Sequence, residues 1–207
     1  MRVIIFGATG RTGRLVVEQA LEAGHFVTAY VRNPAKLGIE HARLTVVEGE
    51  IHDRDAMGRA IAGSDAVLSV LRPTGNEPAY EVSQGTQNIV AAMKEHGVRR
   101  LIVTTAFVVV PHPGDKPRLP DRVGGFLFRR IYRHDAEDMR RAAESVKKSE
   151  LDWTIVRVLR LVDGPRTGRI NLGLAGRGLL NRANLAEFVL QQVSDETHIH
   201  QAPVISN

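Results

Sequence analysis

Three glycines fall within seven residues near the start of the chain, in Gly7-Ala8-Thr9-Gly10-Arg11-Thr12-Gly13. Glycine loses more backbone entropy on folding than any other residue, so such a cluster marks a place where a side chain would be in the way. An apolar run, "VIIF", precedes it and an apolar helical pattern, "RTGRLVVEQALEA", follows it. The cluster therefore reads as the turn of a strand–turn–helix unit. In that setting Gly7 permits the turn, Gly10 lets a phosphate approach the main chain, and Gly13 lets helix and strand pack closely. The free N–H groups and positive end of the helix then hold a pyrophosphate. Gly7, Thr9, Gly10, Arg11, Thr12 and Gly13 are thus the expected phosphate cradle of a dinucleotide.

The end of the second apolar run says which dinucleotide. Proteins that bind NAD place a carboxylate about twenty residues beyond the glycines, where it accepts hydrogen bonds from the ribose hydroxyls. Here "YVRNPAKL" puts Arg32 at that position, with Lys36 close behind and no carboxylate before Glu40. An arginine cannot accept those bonds, but its fork matches a 2′-phosphate. The expected cofactor is NADP(H).

These residues need a scaffold, and the chain supplies alternating short apolar runs and longer amphipathic segments. The runs are "RVIIF", "FVTAYV", "RLTVVEG", "DAVLSVL", "RLIVTTAFVV", "DWTIVRVL" and a last short "PVIS". Between them lie helical patterns, among them "EVSQGTQNIVAAMKEHG", one long charged helix "GFLFRRIYRHDAEDMRRAAESVKKS", and a helix from about Asn181 to Val193. Asp53 is placed to cap the helix "RDAMGRAIAG", and Gly24 and Gly97 close two others. This alternation predicts an α/β fold: a Rossmann-type doubly wound parallel sheet of order 3-2-1-4-5-6 with helices on both faces. The whole of residues 1–207 reads as one domain. The looser segments, Arg72–Ala79, Val110–Gly125 and Val158–Gly168, all follow strand C-termini, where open α/β sheets bind ligands.

Composition removes other classes. With no cysteine there is no disulfide, thiolate catalysis or cysteine metal site. No apolar run is long enough to cross a bilayer and no basic–apolar leader precedes the first strand, so the expected location is the cytoplasm, with no membrane partner. The net charge of +5 favours anionic ligands in general. The arginines of the long helix are interleaved with Asp135, Glu137, Asp138 and Glu144, a pattern of i,i+4 pairing rather than nucleic-acid binding. His198 and His200 lack a ligand cluster, so no metal is expected. His134 and Asp135 are helix neighbours that point different ways. Neither a Gly-x-Ser-x-Gly elbow nor a Walker lysine is present.

Together "FGATGRTG", "VRNPAKL", "NIVAAMKEHGVRRLIVTTAF", "LDWTIVR" and "DGPRTG" resemble the atypical short-chain dehydrogenases, over nearly the whole chain. The subgroup containing flavin reductase (biliverdin reductase B) is the nearest in character, with the NmrA-like sensors more distant. The main branch of that family reduces carbonyls with a Tyr-x-x-x-Lys pair. Here the residues four beyond Tyr30, Tyr80 and Tyr132 are Pro34, Gln84 and Ala136. A general acid contributes about 10²–10⁴-fold, so its loss implies an acceptor that does not need one. A flavin, quinone or linear tetrapyrrole qualifies, because its reduced anion is delocalised and takes a proton from solvent. The resemblance implies NADPH-dependent reduction of such an acceptor, or else a non-catalytic NADP(H) sensor acting through a protein partner. An isomerase or epimerase on a nucleotide-linked substrate is a third class, disfavoured by the missing pair. The resemblance places Leu71, Arg72, Thr104, Thr105 and Arg157 beside the cofactor, and Thr105 aligns with a serine that flavin reductase carries near the nicotinamide. Arg160 stands where flavin reductase has histidine, which makes Thr105 and Arg160 the catalytic candidates. Val158 replaces the proline of an Arg-Pro pair common in relatives, and Arg72 replaces a glycine.

Overall fold

In a computed structural model, which describes residues 1–75, 78–111, 115, 119–173 and 178–207, the apolar runs become strands, most of them buried on both faces while the edge strand β3 (Leu44–Glu48) is largely exposed. These are β1 (Arg2–Phe6), β2 (Phe26–Val31), β3 (Leu44–Glu48), β4 (Ala66–Ser69), β5 (Arg100–Ala106), β6 (Asp152–Val158) and a late β10 (Val204–Ser206). Between them run α1 (Arg11–Glu22), α2 (Arg54–Ile61), α3 (Glu81–Glu95), α4 (Leu119–Ile131), α5 (Arg133–Lys147) and α6 (Arg182–Gln191). The sheet has the order β3-β2-β1-β4-β5-β6-β10, parallel throughout, and β8 (Asn171–Leu172) adds an antiparallel edge beside β10. The first six strands follow the order expected from the sequence.

Period-two alternation sorts the strand residues into two cores. Val3, Ile5, Leu68, Ile102 and Val156 face α1 and α6. Ile4, Phe6, Val67, Leu101 and Ile155 face α2, α3 and α5. Burying each large side chain of this kind stabilises the fold by about 1.5–3 kcal/mol. The continuous apolar runs are therefore the signature of a sheet covered on both sides.

Three features depart from expectation. The long charged helix is two helices, because Tyr132 leaves helical geometry at φ −106° and ψ 49°. No proline or glycine marks that break; it lets α5 pack along α3 while α4 turns away, burying little beyond Gly125. The fifth strand stops at Ala106, short of the Val109 that ends the apolar run, and α4 already begins inside a segment expected to be loose. The segment after β6 holds β7 (Arg160–Val162), which pairs in parallel with β9 (Leu179–Asn181) as a separate two-stranded sheet. In α5 the expected charge pairing is present: Glu137 accepts from Arg140 and Arg141, and Arg140 also reaches Glu144.

Arg100 joins the sheet to the chain that follows α6. Its guanidinium is buried and donates to the carbonyls of Gln192 (2.8 Å) and Asp152 (2.6 Å) and to Thr154 Oγ1 (2.8 Å). Arg100→Ala would strand those acceptors without partners, so it should cost about 3 kcal/mol of unfolding free energy, read by urea denaturation. A second expectation concerns acid. The Arg140 and Arg141 bonds hold the Glu137 carboxyl down to about 2. A depressed carboxylate contributes above its unfolded value and is lost as pH falls toward the folded one. Glu137→Gln should therefore lose less thermal stability than the parent between neutral pH and about pH 2.

Candidate functional site

The chain leaves β1 into a turn with no room for side chains. Gly7 has φ +80°, and a Cβ there would lie 3.0 Å from the Val70 carbonyl carbon and oxygen. A Cβ on Gly13 would lie 2.0 Å from the Gly7 oxygen and 2.8 Å from its carbon, which no side chain survives. The first turn of α1 is thereby pressed against the end of β1. Gly10 is its N-cap; no side chain caps it and no acid lies in its first turn. The leading N–H groups of a helix have no intrahelical partner, so this end is built to receive an anion. The residues present fit a dinucleotide diphosphate.

From this turn a cleft of about 720 Å³ runs across the C-terminal ends of β1 to β4. Gly7, Thr9, Gly10, Arg11, Thr12 and Gly13 form its floor. On the β2–β3 side it is lined by Tyr30, Arg32, Lys36 and the stretch Gly49–His52, and on the β4 side by Leu71, Arg72, Thr74, Glu81 and Val82. Leu161 and Arg182 approach from the last third of the chain. Arg32 and Lys36 thus share one end. Lys36 closes the single 3₁₀ turn Pro34–Lys36, which is capped by the Asn33 side chain bonding the Ala35 N–H. Arg32 is exposed and makes no hydrogen bond or ion pair among the described residues.

Tyr30 closes the floor at that end. Its hydroxyl donates to the Glu50 carbonyl at 3.0 Å, and its ring meets Phe6 at 5.1 Å. Gly49 is obligatory beneath it, since a Cβ would lie 2.1 Å from the phenol oxygen. Burial, and then Asp53 and Glu50, push the phenol up to about 12, so it stays neutral. Tyr80 sits at φ +52° before α3 with the Arg141 guanidinium 4.3 Å above its ring, and Tyr132 is exposed between α4 and α5.

At the β4 end, Asp138 of α5 accepts from the Val82 and Ser83 N–H groups at 3.0 and 2.7 Å. It thereby caps α3 from another helix and fixes Val82 against the cleft. A hollow of about 150 Å³, lined by Thr74, Tyr80, Glu81, Asp135 and Asp138, shares Thr74 and Glu81 with the cleft. Burial and the Asp138 charge raise the Asp135 carboxyl above the usual range, with Arg72 opposing.

The other expected residues lie elsewhere. Thr105 is buried, its hydroxyl without a partner among the described residues, and with Thr104 it lines a cavity of about 20 Å³, room for about one water. Leu71 and Val82 border both that cavity and the cleft, so the two threonines stand one layer behind the cleft wall. Arg157, expected beside the cofactor, is buried and does not line the cleft. Its Nε donates to the Ala202 carbonyl (2.6 Å), Nη1 to the Val110 carbonyl (2.9 Å), and both terminal nitrogens to Asp115 (2.6 and 2.8 Å). Those bonds consume the fork. Arg160 is exposed on β7 while its neighbour Leu161 lines the cleft; alternation along the strand turns Arg160 away. His198 Nδ1 pairs with Gln192 Oε1 and His200 Nε2 with the Leu151 carbonyl. Among the described residues no group of three or more metal-ligating side chains gathers, and no helix is long and apolar enough to cross a membrane.

The sequence reading missed Gly49–His52, although the rule that ligands sit beyond strand C-termini applies equally to β3. It also missed Arg182, which no local pattern connects with Arg11. Yet Asp163, just past β7, accepts from both of them, at 2.6 Å from Arg182 Nη1.

Comparison with known proteins agrees with this geometry. A (4-alkanoyl-5-oxo-2,5-dihydrofuran-3-yl)methyl phosphate reductase of Streptomyces griseus is 30% identical over 155 residues, 75% of this chain. The chain spans only 46% of that relative's length. A short-chain dehydrogenase/reductase of Veillonella parvula, solved in complex with NADP, superposes with a TM-score of 0.79 at 20% identity, covering 100% of this chain and 94% of that one. An anaerobillin reductase from Escherichia coli O157:H7 gives 0.76 at 18% identity, covering 99% and 96%. At these identities the two structures share the fold. The model of the NAD(P)H-binding family matches from the first glycine of the turn, Gly7, through Glu196, and the chain belongs to that family.

Proposed function

We propose that the cleft binds NADP(H) in preference to NAD(H), and that the protein reduces a flat conjugated acceptor such as a flavin, quinone or tetrapyrrole by direct hydride transfer. The observation that carries the cofactor choice is that Arg32 and Lys36 line one end of the cleft together, where an NAD binder has a carboxylate. Two cations there match a 2′-phosphate. The acceptor class is supported by the state of the two tyrosines nearest the cleft. Tyr30 is locked as a neutral phenol against a carbonyl, and Tyr80 lies under an arginine. Neither is followed four residues on by a lysine, so the usual carbonyl acid is missing. The likeness in fold to an anaerobillin reductase puts a tetrapyrrole among the acceptors to try.

When bound, NADPH supplies a hydride from its nicotinamide ring. The chain's own contribution is placement. The α1 N-terminus and the glycine turn hold the diphosphate, Arg32 and Lys36 hold the 2′-phosphate, and Leu71 and Val82 form the wall against which a flat ring lies. Juxtaposition of this kind contributes several kcal/mol without any proton donor. Thr105, one layer behind that wall, reaches the site only if Leu71 and Val82 part.

Loss of NADPH absorbance with FMN, riboflavin, quinones and biliverdin, against protein-free controls, is the direct test. Saturable turnover is expected with at least one acceptor. Tight NADPH binding with no turnover on any of them would replace the reductase with a redox sensor. Arg32→Asp should weaken NADPH about 10–100-fold and NADH less than about twofold, measured by fluorescence titration. Equal losses for the two cofactors would sink the 2′-phosphate assignment.

A further inference from the structure

Two arginines far apart in sequence reach the cleft and share one carboxylate. Arg11 opens α1, Arg182 opens α6, and both line the cleft. Arg11 Nη2 donates to Asp163 Oδ2, while Arg182 Nη1 donates to Asp163 Oδ1 at 2.6 Å. The carboxylate does not itself line the cleft, and it is well exposed, whereas the Arg182 side chain is only 16% exposed. Arg182 also sits at the positive end of its own helix, where a cation is disfavoured unless an anion lies beside it. No acid lies in the first turn of α6, so Asp163 is the anion it has.

We infer that Arg11 and Arg182 form a two-sided clamp for the diphosphate of the cofactor, and that Asp163 is an internal anion that holds the clamp until the diphosphate displaces it. This rests on the dinucleotide reading of the cleft and adds the residues and the sign of a competition. A guanidinium binds phosphoryl oxygens through the same parallel N–H···O bonds that it offers a carboxylate. One carboxylate must serve both arginines with one oxygen each, whereas a diphosphate brings a phosphoryl group and more charge to each. The Asp163 carboxylate is largely exposed, which keeps its ion pairs weak in water, so surrendering them costs less than the new contacts return. Asp163 therefore opposes binding while it prevents two facing cations from repelling each other in the free protein.

The test is titration of the full chain with inorganic pyrophosphate, NADPH and adenosine 2′-monophosphate, which carries no diphosphate. The proteins are the parent, Asp163→Asn, Arg11→Gln and Arg182→Gln, each checked for folding by thermal melting. Asp163→Asn should bind pyrophosphate and NADPH about threefold to tenfold more tightly. Either arginine variant should weaken both by about tenfold. None should change adenosine 2′-monophosphate. Unchanged or weaker pyrophosphate binding in Asp163→Asn overturns the clamp, as does an equal shift for adenosine 2′-monophosphate, which would be a general charge effect. Because Asp163 is exposed, its variant keeps the test decisive even if Arg182→Gln does not fold. Pyrophosphate binding that follows the expected pattern, without NADPH binding, would leave the clamp standing and remove the cofactor assignment instead.

Discussion

The contact between Gly13 and the Gly7 carbonyl governs this molecule. A Cβ on Gly13 would lie 2.0 Å from that oxygen, so the first turn of α1 rests on the end of β1 only because no side chain exists there. That closeness aims the unpaired N–H groups of α1 along the C-terminal edge of the sheet. It also fixes α1 over one face of the sheet, where Gln19 bonds the Ala183 carbonyl and ties α1 to α6. The position of Arg182 at the cleft follows from that tie. The approach of helix to strand thus sets the anion site, the packing of one core and the arrival of a distant cation together.

Arginine does two different jobs in this chain, and burial separates them. Arg100 and Arg157 are buried and spend their forks on carbonyls and, for Arg157, on Asp115. They join the sheet to the segments that follow α6 and β5. Arg11, Arg32, Arg72 and Arg182 line the cleft and give it a positive wall, tempered by Glu50 and Glu81. In a cleft between low-dielectric walls such cations draw anionic ligands far more than the modest net charge of the chain would suggest. Asp163 stands among them as the counter-charge.

Most of the scaffold was legible because its signals are local. Continuous apolar runs bounded by helical patterns specify buried parallel strands whatever lies around them, and they gave β1 to β6 in their order. The break at Tyr132 was not legible, since nothing in "RRIYRHD" disfavours helix; only the packing of α5 on α3 requires it. Strands β7 and β9 were also hidden, because three-residue strands have too little pattern of their own. Asp138 shows the same limit at the site: as a residue of α5 it reads as a surface acid, yet it caps α3.

The sequence by itself determined the fold class, the glycine turn and the cationic residues after β2. Each depends on residues within about twenty-five positions of one another, where the chain geometry of a βαβ unit dictates the meeting. Only the tertiary structure separated Arg100 and Arg157, which are struts, from the cleft arginine Arg182, because charge alone does not distinguish them. Arg157 lies near the end of β6 and Arg160 opens β7, and strand alternation with the return of the C-terminal chain buried one and turned the other outward. The meeting of Arg11, Asp163 and Arg182 spans most of the chain. It exists because two helices pack side by side on one face of a twisted sheet, a fact of the folded molecule that no stretch of sequence contains.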